Sequence, residues 1–194
     1  MRILAFSDLH GDFNALKELK KKSKRTDLVV CAGDISNFEH NLNKLLEHLN
    51  SFSSPVLIIH GNHEGAELMK ELCADYSNLV FIHRAIYQLN ELQIVGYGGG
   101  GFSIKDNGFE EFAKRIKNQL SKKFILVTHA PPYGTKLDLV LGEHKGNKSI
   151  RNFIVKYKPL LAISGHLHEN ANKTDILKTT KLINPSKHGY MINV

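Results

Sequence analysis

Five apolar runs in this chain each end in a short cluster of Asp, Asn or His. They are ILAFSDLH with Asp8 and His10, DLVVCAGD with Asp34, PVLIIHGNH with Asn62 and His63, KFILVTH with His129, and LLAISGHLH with His166 and His168. Each run is four to six residues long and rich in Val, Ile and Leu. Continuous apolar runs of that length suit strands buried on both faces of a helix-covered α/β sheet. In open α/β sheets, ligands bind in the crevice beyond the carboxyl ends of the strands, so the polar clusters are expected to converge on one sheet edge. Oxygen and imidazole donors without thiolate suit first-row divalent ions such as Mn, Fe, Zn or Ni. Eight such residues are too many for one ion.

The rest of the chain fits a strand and helix alternation. Strands are expected near 2–7, 27–32 and 55–60, with helices near 12–24, 39–50 and 65–74. A hairpin-like pair follows, NLVFIHRAIYQL running into LQIVGYGG. Residues 107–121 read as helix, with Phe109, Phe112, Ile116 and Leu120 at helical spacing as a core stripe. Strands near 123–128 and 160–164 flank a helix at about 149–158, and the tail reads as three short strands in a meander. The 194 residues carry no repeat or compositional break and read as one domain spanning 1–194, large enough to bury a substantial core.

MRILAFSD enters the first strand without an apolar leader, and no stretch approaches ~20 apolar residues, so a soluble, cytoplasmic protein without membrane contact is expected. Cys31 and Cys73 lack C-x-x-C spacing; Cys31 reads as a small buried hydrophobe, in keeping with a reducing compartment. The formal net charge is +7. Lys20, Lys21, Lys22, Lys24 and Arg25 cluster late in the first helix, where cations complement the helix dipole. A solvated helix end is favoured there over a nucleic-acid contact.

The order D-x-H, G-D, G-N-H, lone His and G-H-x-H resembles the calcineurin-like metallophosphoesterase family. Here it reads Asp8-Leu9-His10, Gly33-Asp34, Gly61-Asn62-His63, His129 and Gly165-His166-Leu167-His168. One D-x-H is a weak signal, but five pieces in order from residue 8 to 168 are specific. Read instead as polar caps at strand ends, the clusters would have no reason to recur five times.

The resemblance implies an α/β fold of two mixed β-sheets packed face to face with flanking helices, a four-layer sandwich. It also implies one ion held by Asp8, His10, Asp34 and His168, and a second held by Asp34, Asn62, His129 and His166. Asp34 would bridge, since a carboxylate can span ions ~3.5–4 Å apart, while Asn62 offers a neutral carbonyl oxygen. A hydroxide bridging the ions, formed because coordination lowers the pKa of water towards about 7, would attack phosphorus in line. His63 directly follows Asn62 and can project over the crevice, where the resemblance implies a general acid or a stabiliser of the leaving oxygen. Glu64 is a candidate to hold the His63 ring.

Two loops are expected to shape the pocket. Gly99 and Gly100, within Gly98–Gly101, would let backbone approach a phosphate. The loop after His129 offers Tyr133, Lys136, His144 and Lys148. His40, His48, His83 and His188 read as surface or satisfied residues, and His60 as buried beneath the site. The T-H-x-P-P-Y-G-T-x-L-D and S-G-H-x-H-E segments are similar to those of small bacterial and archaeal phosphodiesterases of the family. GDISN after the second strand lacks the Arg expected to clamp a phosphomonoester. A small-molecule phosphodiester is therefore the expected substrate. A nuclease, a phosphomonoesterase and a non-catalytic scaffold are the alternatives, the last opposed by an intact His63.

Overall fold

The computed structural model describes residues 1–194. In chain order the elements are β1 (Arg2–Phe6), α1 (Phe13–Ser23), β2 (Leu28–Cys31), α2 (Leu42–Asn50), β3 (Val56–Ile58), α3 (Ala66–Ala74), β4 (Leu79–Phe81), β5 (Ala85–Leu89) and β6 (Leu92–Tyr97). There follow α4 (Asn107–Ile116), β7 (Phe124–Thr128), β8 (Leu139–Val140), β9 (Glu143–His144), α5 (Lys148–Tyr157), β10 (Leu161–Ile163), β11 (Thr174–Leu177), β12 (Thr180–Ile183) and β13 (Tyr190–Asn193). Two mixed sheets result, ordered β13-β1-β2-β3-β4 and β11-β12-β10-β7-β6-β5. Their central strands pair in parallel, and antiparallel strands lie at three of the four edges, the fourth being the parallel β4.

Strand periodicity builds the layers. In β1, Ile3 and Ala5 face the second sheet, joining Val30 and Leu57 from the first sheet and Ile94, Ile125 and Ile163 from the second in one buried cluster. Leu4 and Phe6 point the other way, onto Leu16 and Leu19 of α1 and Leu45 of α2. The outer face of the second sheet packs Leu126 and Ala162 against Phe109 and Phe112 of α4 and Phe153 of α5. Both faces of each sheet are thus covered, which is why the strands read as continuous apolar runs.

Several boundaries depart from the sequence reading. The hairpin-like pair is divided: β4 extends the first sheet in parallel with β3, the chain crosses at Ile82–Arg84, and only β5 pairs with β6. The tail meander is likewise split, because β11 and β12 form a hairpin in the second sheet while β13 crosses to pair with β1. Helix α4 stops at Ile116 rather than 121 because the Gln93 side chain takes the Gln119 carbonyl (3.0 Å) and the Ser121 N–H (2.7 Å). α2 begins at Leu42 rather than 39 because Phe38, Glu39 and Asn41 hold left-handed backbone.

Candidate metal centre

Backbone hydrogen bonds tie the loop after β1 to that after β2, and the loop after β10 to that after β7. Asp8 N–H donates to Gly33 O (3.0 Å), His10 N–H to Asp34 O (3.0 Å), and Gly165 N–H to His129 O (3.0 Å). Two carboxylates serve as ties as well: Asp8 Oδ1 accepts from His166 N–H (2.9 Å), and Asp34 Oδ1 from His63 N–H (3.0 Å). Asp8, His10, Asp34 and His166 all have positive φ, at 55°, 47°, 53° and 72°. Such backbone is costly for residues with a Cβ and persists where surrounding bonds over-determine it, commonly at functional sites. A Cβ at Gly61 would collide with the Asp34 carboxylate, so glycine is required there by space.

The structure brings together all eight residues singled out by the motifs. Donor atoms of Asp8, His10 and His168 form one group, those of His10, Asp34 and His63 a second, and those of Asp34, His129 and His166 a third, with spacings within 4.8 Å in each. His10 Nε2 lies 2.9 Å from His168 Nε2, which in turn lies 3.7 Å from Asp8 Oδ1. His129 Nε2 lies 3.0 Å from Asn62 Oδ1 and 3.3 Å from Asp34 Oδ2.

These groups fit divalent cations. His10 Nδ1–H donates to Asn37 Oδ1 (2.9 Å) and His129 Nδ1–H to Ala32 O (2.8 Å), which leaves each Nε2 free to offer a lone pair inward, as metal-bound histidines do. His166 Nε2 is buried with no hydrogen-bond partner. Burial alone would raise the Asp34 pKa, but hydrogen bonding and charge from His129, with the His63 N–H, hold it at about 2. Burial would lower His129, yet Asp34 raises it. Burial and the neighbouring His129 push His166 down to about 4, so its imidazole is neutral at pH 7.

Glu64, a candidate from the sequence to hold the His63 ring, does not bond to it. It is buried, its pKa is raised by that burial, and its carboxylate accepts from Asp34 N–H (3.2 Å), Gly61 N–H (3.0 Å), and Ser36 N–H and Oγ–H (2.9 Å each). It therefore fastens the loops after β2 and β3 together. His63 Nδ1 has no partner, and its ring packs beside His10 with centroids 4.8 Å apart.

A cavity of about 710 Å³ opens over the Asp8, His10 and His168 side of the centre, lined also by Asn37, His63 and Lys187 among others, whereas Asp34, Asn62, His129 and His166 do not line it. Gly99, Gly100 and Tyr133 do not line it. Gly99 faces His60, Gly100 faces Ala130, and the Tyr133 ring packs under Lys148 Nζ (4.8 Å). His60 is buried, as expected, and donates from Nδ1 to Gly61 O (2.8 Å). His144 is bound to Asp138 (2.9 Å) in the loop after His129. Three residues that the sequence reading did not single out touch candidate residues: Asn37 on His10, Phe38 on His63 and Phe102 on His166. Asn37 ends the GDISN segment that lacks an arginine, and Phe38 follows it, but their contact with His10 and His63 exists only in three dimensions.

Residues 1–170 match the family model described as calcineurin-like phosphoesterase. An uncharacterized protein of Methanocaldococcus jannaschii, MJ1162, is 31% identical over 206 residues, covering 99% of this chain and 91% of that protein. A probable glycerophosphodiester phosphodiesterase, GpdQ of Arcobacter nitrofigilis, is 26% identical over 180 residues, covering 83% of this chain and 64% of that protein. The crystal structure of TT1561 of Thermus thermophilus superposes with a TM-score of 0.76 at 16% identity, covering 95% of this chain and 88% of that one. The chain belongs to the calcineurin-like phosphoesterase family.

Proposed function

We propose that this calcineurin-like phosphoesterase is a two-ion phosphodiesterase acting on small phosphoesters. The position of Asp34 carries the reading: its Oδ2 lies 3.7 Å from His10 Nε2 and 3.3 Å from His129 Nε2, facing donors on both sides. A carboxylate placed so can bridge two ions ~3.5–4 Å apart. Asp8, His10 and His168 complete one set of ligands, and Asn62, His129 and His166 the other. Divalent ions held there supply Lewis acidity, making water nucleophilic at neutral pH and offsetting charge on phosphoryl oxygens.

The chain's own residues do the rest. Asn37 orients His10, and the Ala32 carbonyl orients His129. His63 lines the cavity and is assigned to the leaving oxygen, where proton donation is typically worth ~10²–10⁴-fold in rate. Charge favours a diester. No arginine lines the cavity, and Lys187 is already paired with Asp12 at 2.9 Å. A monoester dianion calls for more fixed positive charge than a diester monoanion. The name of the Arcobacter relative agrees with this preference.

The test is turnover of nitrophenyl mono- and diesters by chelated protein and after Mn addition. Chelated protein should be inactive, Mn should restore activity, and the diester should have the higher kcat/KM by about tenfold or more. Full activity in metal-free protein would sink the mechanism, and a monoester preference the substrate reading. Asp34→Asn should weaken both ions together; elemental analysis still finding two tightly held ions would show the bridge is wrongly assigned.

A further inference from the structure

We propose that Phe38 and Phe102 form an aromatic clamp that selects phosphodiesters carrying a planar ring. The proposal rests on the phosphodiesterase reading of the metal centre. Both side chains are unusually exposed for phenylalanine, at 78% and 68%, yet each packs on a ring of that centre. Phe38 lies 4.3 Å from His63, centroid to centroid, and Phe102 lies 4.5 Å from His166. His63 continues to His10 and then His168, each step 4.8 Å, whereas His166 continues to His129 at 5.1 Å. The two phenylalanines thus flank opposite halves of the candidate ligand set.

Folding stability does not account for either placement. Phe38 has φ +48° and Glu39 φ +64°, a left-handed backbone that a bulky side chain disfavours. The turn is held by Ser36, whose N–H and hydroxyl donate to Glu64 and whose Oγ accepts from Glu39 N–H at 3.1 Å. Glu39 Oε1 then accepts from Gly65 N–H at 2.9 Å. These bonds keep a strained residue in place only to leave its ring in water above His63. Phe102 follows Gly99, Gly100 and Gly101, all at positive φ, in a run lying against His60, Ala130 and Asn62. Each exposed face thus stands beside a residue of the centre, where an organic group on a bound phosphate would meet it.

Stacking identifies that group. A planar aromatic substituent offers π-faces to both rings, a contact that tolerates aryl groups and nucleobases alike. A methyl or glyceryl ester has no such face.

The experiment uses three phosphorothiolate diesters with the same aliphatic S-ethyl leaving group, followed by thiol release, the second ester being methyl, phenyl or thymidine 5′, so that only the last two carry a planar ring. With Mn-loaded wild type, the phenyl and thymidine esters should exceed the methyl ester in kcat/KM by about tenfold. Phe38→Ala and Phe102→Ala should each shrink that ratio about fivefold, and Phe38→Leu nearly as much, because it keeps apolar bulk without a π-face. Whichever ring ester is faster, thymidine or phenyl, names a nucleoside or a simple aryl group as the occupant. Calorimetric binding of phenylphosphonate against methylphosphonate should show the same preference and the same losses. Equal kcat/KM for the three esters in wild type, or ratios unchanged in both Ala variants, overturns the clamp while leaving the phosphodiesterase reading intact. If no diester is turned over, that reading fails, and the phosphonate pair still decides the clamp.

Discussion

His63 is held by its backbone and left free at its ring: the N–H is committed to Asp34, while Nδ1 has no partner. A ring so placed can serve the substrate without serving as a ligand. His63→Gln should therefore leave metal content unchanged while kcat falls by ~10²–10⁴-fold. The loss should be smaller on a nitrophenyl ester, whose leaving oxygen needs little protonation, than on an alkyl or nucleoside ester. A uniform loss would favour charge stabilisation, and an undiminished kcat would remove His63 from the chemistry. Its motif places His63 next to Asn62 in the sequence. Its neighbours Phe38 and His10 come from other loops, so what the ring touches was not legible there.

At the scale of elements, the centre depends on loops held at the ends of parallel strands, and Glu64 fastens two of them with four hydrogen bonds. Its carboxylate accepts every bond offered, from Asp34, Gly61 and Ser36. Glu64→Gln puts an NH₂ donor against those donors, at a cost of about 1–3 kcal/mol for a buried group left unsatisfied. The melting temperature should fall, and Mn affinity should weaken by roughly 10–100-fold, as for outer partners of metal ligands elsewhere. Thermal denaturation with Mn calorimetry checks both; a variant matching wild type in each would mean the loops are held by something else. Adjacency in the chain made Glu64 a candidate to hold the His63 ring, but its bonds go to Asp34, Gly61 and Ser36 instead. Chain crossing misled the sequence reading in the same way at β4 and β13, where consecutive strands belong to different sheets.

For the molecule as a whole, burial of neutral histidines makes stability depend on acid. Burial, with the charges of His60 and Arg84, lowers His83 from its ordinary value to about 3, and its Nδ1 accepts from Gly98 N–H at 2.9 Å. Burial lowers His60 as well. Above about pH 6.5 both are neutral in folded and unfolded chains alike, so their contribution is fully present. As pH falls from there towards 3, the unfolded chain takes up protons that the folded chain refuses, and stability is lost. Urea melts across that window should show the decline, and His83→Gln, which keeps an acceptor for Gly98, should flatten it. An equal slope in the variant would mean His83 is protonated in the fold.

The apolar runs, alternating with helical segments, pointed to an α/β fold with strands covered on both faces, and the ordered motifs at their ends supplied the resemblance that implied two packed sheets. The polar clusters ending them determined the chemistry on offer, since a strand end is where an α/β sheet exposes side chains to a common crevice. Both are local properties, written in consecutive residues. Tertiary structure alone decided which sheet β4 and β13 join, what Glu64 fastens, and that Asn37, Phe38 and Phe102 stand against His10, His63 and His166. Those facts join residues far apart in the chain, and their geometry is set by the packing of two sheets whose relative position no single segment encodes.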